Sequence, residues 1–158
     1  SYVGPRINTV VSASDKQPAT WRDTTTKPCD DWAKPVFDDA SWKSGQSGFG
    51  TEGTPGTVMG TTWNTPDIWL RREVEIQGDK LRNLELWMHH DEDAEIYING
   101  VLAAQPKGYS TEYFRLALNS AGKAALKPGR NLIAVHCHQT GGGQYIDLGF
   151  VEVIPAKK

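Results

Sequence analysis

The stretch that decides the fold is Ala94-Glu95-Ile96-Tyr97-Ile98-Asn99-Gly100-Val101-Leu102-Ala103-Ala104. Ala94, Ile96 and Ile98 alternate with Glu95 and Tyr97, the two-residue period of a strand with one face buried. Asn99-Gly100 follows directly. Both residues tolerate positive φ, which a type I′ hairpin turn requires, and Val101 to Ala104 supplies the returning strand.

The same period extends outward on both sides. Upstream, Leu84, Leu86 and Met88 share a face within a strand expected over 80–88, with Glu85, Trp87 and His89 on the other face. Trp87 then faces solvent, a partner domain or a covering loop. The acidic turn Asp91-Glu92-Asp93 follows. Earlier still, Ile68 to Ile76 places Leu70, Val74 and Ile76 in phase, interrupted by Arg72. Arg71 and Arg72 face opposite sides of that strand, and the inward one needs a carboxylate, from Glu95 or Asp147.

Downstream, a strand is expected over Tyr109 to Leu118 and a short helix over Ser120 to Leu126, ended by Pro128-Gly129. Asn131 to His138 sets Leu132, Ala134, His136 and His138 against Ile133, Val135 and Cys137. After the Gly141-Gly142-Gly143 loop, Tyr145 to Ile154 closes the chain with Ile146, Leu148 and Phe150 on one side.

The first sixty-odd residues are rich in turn formers, such as Thr54-Pro55-Gly56 and Thr65-Pro66, without helical periodicity. In Phe37-Asp38-Asp39-Ala40-Ser41-Trp42, Asp38 or Asp39 is placed to cap a single helical turn, and the two aromatics to anchor the loop. Short strands between turns, with almost no helix, predict one all-β jelly-roll-like sandwich over residues 1–158. Its core is expected over about 32–153, preceded by an N-terminal strand and loops (1–31) and followed by a tail (155–158).

Composition narrows the function. The formal net charge is −2 over 158 residues, with signs mixed. No basic stripe follows a phosphate backbone, which argues against nucleic acid, and no apolar run approaches a membrane span. The chain opens on Ser1-Tyr2-Val3-Gly4-Pro5 without Met, as expected of an excised piece or a processed protein. Cys29 and Cys137 are open to a disulfide or to two free thiols, with Cys137 reading as a buried strand residue. All six tryptophans lie in the first 87 residues. Some belong to the core, which leaves one or two for a binding surface.

These residues also resemble a known family. Trp69-Leu70-Arg71-Arg72, the Ala94 to Gly100 stretch, Gly129-Arg130-Asn131-Leu132-Ile133-Ala134-Val135 and the upstream Phe37 to Trp42 turn are similar to the galactose-binding-like jelly roll. The nearest likeness is to the sugar-binding domain of the glycoside hydrolase family 2 type. It covers about Trp32 to Val153. His89 to Asp93, His136-Cys137-His138-Gln139 and Gly142 to Asp147 resemble accessory domains of secreted or periplasmic bacterial glycoside hydrolases and glutaminase-like proteins. The resemblance implies a non-catalytic carbohydrate-binding module of a larger secreted or periplasmic enzyme. The alternative is a domain that braces a catalytic domain without binding sugar. A monomer is expected of the isolated domain.

Three chemistries compete for the polar residues. His90, Asp91, Glu92, Asp93, His136, His138 and Asp147 contain acid–base groups, but a glycosidase needs carboxylates across a cleft, and 91–93 sit on one turn. Nothing resembles a nucleophile elbow, so no catalytic residue is expected. His136 and His138, two apart on a strand, with His90 form a zinc candidate. A structural calcium is the better-matched metal, since related jelly rolls often hold one and carboxylates and loop carbonyls supply hard oxygens. Asp91, Glu92 and Asp93 form no EF-hand loop, however, so the ligands stay unassigned, and a solvated acidic turn is the favoured alternative. A saccharide needs an aromatic face and fixed polar groups. The candidates are Trp63, Asp67, Trp69, His90, Asp91, Glu92, His138, Gln139, Gln144, Tyr145 and Asp147, expected to meet at one apex of the sandwich.

Overall fold

In the computed structural model, which describes residues 4–156, the strands are β1 (Arg6–Val11), β2 (Thr20–Thr24), β3 (Lys43–Gln46), β4 (Phe49–Gly50), β5 (Thr61–Thr62) and β6 (Asp67–Ile76). There follow β7 (Leu84–Asp91), β8 (Asp93–Ile98), β9 (Val101–Ala104), β10 (Phe114–Ala117), the helix α1 (Ser120–Ala125), β11 (Gly129–His138) and β12 (Tyr145–Ile154). They build two facing sheets, β10-β7-β12-β4-β5 with β1 also paired to β12, and β3-β2-β6-β11-β8-β9. All pairs are antiparallel except β4 with β5. This is the jelly-roll β-sandwich, and its centre is the long β6–β11 pair, in register from Gly129↔Ile76 to His138↔Asp67.

The alternation seen in the sequence fixes which faces meet. Ile68, Leu70, Ile96, Ile98, Ile133 and Val135 from one sheet pack against Leu84, Leu86, Met88, Ile146, Leu148 and Phe150 from the other, all buried. Each such side chain contributes ~1.5–3 kcal/mol by leaving water. The hairpin turns at Asn99 (φ 50°) and Gly100 (φ 87°), as its type I′ reading requires. Asn99 also ties the turn down: its side chain accepts from Leu132 N at 2.8 Å and donates to the Asn131 side chain at 2.9 Å.

Several expectations need correction. Only Phe114–Ala117 of the 109–118 segment is a strand; Tyr109 makes an isolated bridge to Asp91, and the rest forms a loop over the sheet end. The strand expected from Lys80 begins at Leu84, because Gly78–Lys80 is a turn of 3-10 helix. No helix is formed at 37–42, but a single turn is: Trp42 N donates to the Asp39 carbonyl at 2.9 Å, and Asp38 caps it by accepting from Ala40 N at 2.9 Å, while Phe37 and Trp42 pack edge to face at 5.6 Å. Both cysteines are free, Cys29 exposed and Cys137 in the core, where burial pushes its thiol pKa well up. Pro155 and Ala156 of the tail are irregular; its last two residues, like residues 1–3, lie outside the described ones.

Arg71 and Arg72 do face opposite ways. Arg71, 3% exposed, lies under the 31–42 loop. It donates to Asp39 at 2.9 Å and to the carbonyls of Trp32, Lys34 and Phe37. Arg72 packs over the Trp21 ring at 5.9 Å. Burial lowers its pKa and the charge of Asp147 raises it, so Asp147, not Glu95, is the carboxylate it feels.

Candidate functional site

Chain crossings between the sheets create the apex. β7 ends in one sheet at Asp91, and β8 starts in the other at Asp93, so residue 92 alone makes the crossing. The 139–144 segment makes a second crossing from β11 to β12, and the 105–113 segment a third from β9 to β10. The 51–60 loop leaves β4 beside Tyr145, the first residue of β12.

Two groups bind these segments together. His89, fully buried, meets the Pro55 carbonyl through Nε2 at 2.7 Å and the Ser110 hydroxyl through Nδ1 at 3.1 Å. Burial above all holds its pKa below the ordinary imidazole value, so at neutral pH it is the neutral ring that donates to the carbonyl and accepts from the hydroxyl. Gly56 (φ 73°) is the second. A Cβ there would lie 2.1 Å from the Thr111 carbonyl oxygen, so only glycine lets the 51–60 loop lie against the 105–113 loop.

Between these loops opens a cleft of about 350 Å³. Asp91 forms part of its lining, with Glu52, Thr51 and Thr54 from one side, Tyr109 and Ser110 from another and the glycines 142 and 143 from a third. Asp91 is only 9% exposed, and among the described residues no hydrogen-bond donor reaches its carboxylate. Burial, and then the neighbouring Glu92, raise its pKa to about 6. Tyr109 is 67% exposed. The cleft therefore offers an open aromatic face, several hydroxyls and an acceptor without a protein partner. A larger hollow of about 470 Å³ lies around Arg22, Asp39 and Arg71. Both of these arginines already pair with Asp39, which makes it the weaker candidate.

The structure divides the residues expected at one site among several places. Asp91 lines the cleft. Gln144 braces its wall: its carbonyl accepts from Thr51 N at 3.0 Å, its N–H donates to Thr54 Oγ1 at 3.1 Å, and its side chain donates to the Thr65 carbonyl at 3.0 Å. Trp63, 2% exposed, belongs to the core, with Nε1 donating to Thr65 Oγ1 at 3.1 Å. Trp69, 7% exposed, is stacked on His136 at 4.7 Å. Both indoles take the packing role that the sequence also allows them, and neither offers a free face to a sugar. His90 is 3% exposed, packs against Phe114 and meets the Glu92 carbonyl through Nδ1 at 2.7 Å.

Asp67 and His138 sit instead on the outer face of the second sheet. Asp67 Oδ1 takes His136 Nε2 at 2.7 Å and His138 Nδ1 at 2.9 Å, and Glu95 takes His136 Nδ1 at 2.9 Å. Burial raises the Asp67 pKa, but these imidazole bonds outweigh it and the net shift is downward. Gln139 turns back onto the Gly142 carbonyl at 3.0 Å.

Tyr145 and Asp147 form a network beneath loops on the first sheet, in which Asp147 Oδ1 is buried without a hydrogen-bond partner among the described residues. The Tyr145 hydroxyl donates to the Val58 carbonyl at 2.8 Å, accepts from Val58 N at 3.1 Å and lies 2.7 Å from the Tyr113 hydroxyl. Tyr113 donates to Asp147 Oδ2, which also accepts from Ser14 N at 2.8 Å. Burial raises the Asp147 pKa to about 6, against the pull of those donors. Trp87 is covered too, donating to Asp15 at 2.7 Å and stacking on Tyr113.

The 91–93 carboxylates diverge: Asp91 lines the cleft, Glu92 takes Thr140 N at 2.9 Å and Gly141 N at 3.2 Å, and Asp93 takes Gly108 N at 2.7 Å. Calcium needs about six to eight oxygens around one point, so this turn does not fit it. For zinc, His90 faces the interior while His136 and His138 face outward. Among the described residues no group of three or more His, Cys, Asp or Glu is placed to hold a metal ion.

Sequence reasoning missed Tyr109, Ser110, Thr51, Thr54 and Glu52 at the cleft. They lie in turn-rich segments with no periodicity, and the only local signal was the Thr54-Pro55-Gly56 turn itself.

No protein-family model and no curated protein matches the chain. Solved structures do. A Bacteroides uniformis beta-glucuronidase is similar with a TM-score of 0.58 at 19% identity, over 88% of this chain and 18% of that one. A glycosyl hydrolase family 2 member from Bacteroides cellulosilyticus gives a TM-score of 0.59 at 18% identity, over 94% and 20%. A calcium-binding mutant of Bacteroides uniformis beta-glucuronidase 2 gives 0.56 at 15%, over 91% and 18%. The chain spans about a fifth of these enzymes' length, and at such identities the likeness is one of fold. The chain has the jelly-roll β-sandwich fold that these glycosidases contain as one part of a much longer polypeptide.

Proposed function

We propose that this chain is a non-catalytic, saccharide-binding module of a larger glycosidase, acting outside the cytoplasm in a secreted or periplasmic enzyme, and that the apical cleft receives the sugar. The observation that carries this reading is Asp91. Asp91 is only 9% exposed as a residue, its carboxylate opens on the cleft, and among the described residues no donor reaches it, so a ligand hydroxyl can supply that hydrogen bond. The exposed Tyr109 ring beside it supplies an apolar face for the C–H side of a sugar. Catalysis is not part of the reading. Glu52, the other carboxylate of the cleft, is exposed with no hydrogen bond to orient it among the described residues, whereas an acid–base pair must be held in place.

A glycan array probed with the folded chain, followed by calorimetry on each hit, tests the proposal. Hits abolished by Asp91→Ala and by Tyr109→Ala support it. Silence across a diverse array favours the bracing reading, for which the specific observation is Val36, 88% exposed at the tip of the loop latched by Arg71.

A further inference from the structure

Resting on that reading, we infer that the cleft selects amino sugars: its ligand carries an ammonium group that sits between the Asp91 carboxylate and the Tyr109 ring, and uronic acids are rejected. The argument is one of charge. Among the described residues the lining contains the carboxylates of Asp91 and Glu52, the hydroxyls of Thr51, Thr54, Ser110 and Thr111, and no lysine, arginine or histidine. A neutral sugar would satisfy Asp91 with one hydroxyl. An ammonium satisfies it with a charge-assisted bond, roughly twice as strong as a neutral one, and gains further from an aromatic face within reach. An exposed tyrosine beside an unpaired carboxylate is the pairing that recognises an ammonium. An anionic sugar would bring a third carboxylate into a site with no cation, where like charges repel and cost binding.

The groups facing Asp91 are consistent with this from every side. Glu52 approaches from the 51–60 loop and Tyr109 from the 105–113 loop. Glu92 adjoins it in the chain, Tyr145 faces it across the β7–β12 pair, and the Cys137 thiol feels its charge. None of them is a cation, and His89, bonded behind them to Pro55 and Ser110 of the lining, is held neutral chiefly by burial. With its pKa raised to about 6, Asp91 is ionised at pH 7.5 and mostly protonated at pH 5, so the preference for an ammonium should fade over that interval while hydroxyl contacts persist.

The test is a set of titrations of the isotope-labelled chain, followed by amide shifts of Gly53, Tyr109, Ser110 and Gly142, with glucosamine, N-acetylglucosamine, glucose and glucuronate and with short β-1,4-linked oligomers of the first two. At pH 7.5 glucosamine should bind at least ~10-fold more tightly than N-acetylglucosamine or glucose, and glucuronate should bind more weakly than glucose. Asp91→Asn should bring glucosamine down to the level of glucose, and Tyr109→Ala, a surface change that leaves the fold intact, should weaken glucosamine as well. Equal binding of glucosamine and glucose at these amides, or preference for glucuronate, would overturn the inference and leave the saccharide reading standing. No shift at these amides with any sugar, from protein with a folded spectrum, would overturn both.

Discussion

Arg71 and Asp91 are both charged, both nine-tenths buried or more, and treated in opposite ways. Arg71 lies beneath the 31–42 loop with one carboxylate and three carbonyls accepting from its guanidinium, and the Phe37 ring at 5.1 Å. Its donors are spent within the chain, and its work is to fasten a loop. Asp91 contrasts with it, with a hollow in front of it and no donor to its carboxylate among the described residues. A buried charge that is fully partnered marks architecture; one left unpartnered in a cleft is retained at a cost in stability and points to something outside the chain.

That contrast can be broken by experiment. Arg71→Ala should have the largest effect, about 3–5 kcal/mol in urea unfolding, because it removes a buried side chain that holds three loop carbonyls and leaves Asp39 only the longer pair with Arg22. An unfolding midpoint unchanged from wild type would show that the latch does not matter. Tyr145→Phe should cost about 1–3 kcal/mol by thermal melting, since Val58 N–H and C=O and the Tyr113 hydroxyl lose a common partner. It sharpens the comparison by testing a second partnered network close to the cleft.

Asp91→Asn should go the other way. The folded-state pKa of Asp91 is raised, to about 6. The folded protein therefore holds this proton more tightly than the unfolded chain does, and the stability so gained is full below the unfolded pKa and lost as pH rises through the folded one. Asp147 has a similarly raised pKa and acts in the same window, so the difference between wild type and variant isolates Asp91. In melting profiles from pH 4 to 7, the variant should gain on wild type by about 1 kcal/mol, screening water in the open cleft keeping the gain small. A variant that loses stability with rising pH as wild type does would mean that Asp91 is partnered after all. Glu92→Gln should have the smallest effect: an unchanged melting midpoint, with faster hydrogen exchange at Thr140 and Gly141, whose amides it now accepts.

The strands and their faces were legible in the chain. Ala94, Ile96 and Ile98 point inward, Asn99-Gly100 turns, and Leu84, Leu86 and Met88 meet Ile146, Leu148 and Phe150. Of the expected site, Asp91 and the bracing Gln144 came together at the cleft, whereas Trp63 and Trp69 went into the packing. An indole reads the same in sequence whether its face is covered or free. What covers it comes from far along the chain, as His136 does for Trp69.

The sequence by itself determined the sandwich, because a period of two and a two-residue turn act between near neighbours, where side-chain direction and φ are local matters. Only the tertiary structure decided which acidic residue of the 91–93 turn stays free. Glu92 finds Thr140 and Gly141, Asp93 finds Gly108, and Asp91 finds a cleft. Those outcomes depend on four segments distant in sequence converging at one end of the molecule. Hydrogen bonds and burial are assigned only when that convergence has taken place.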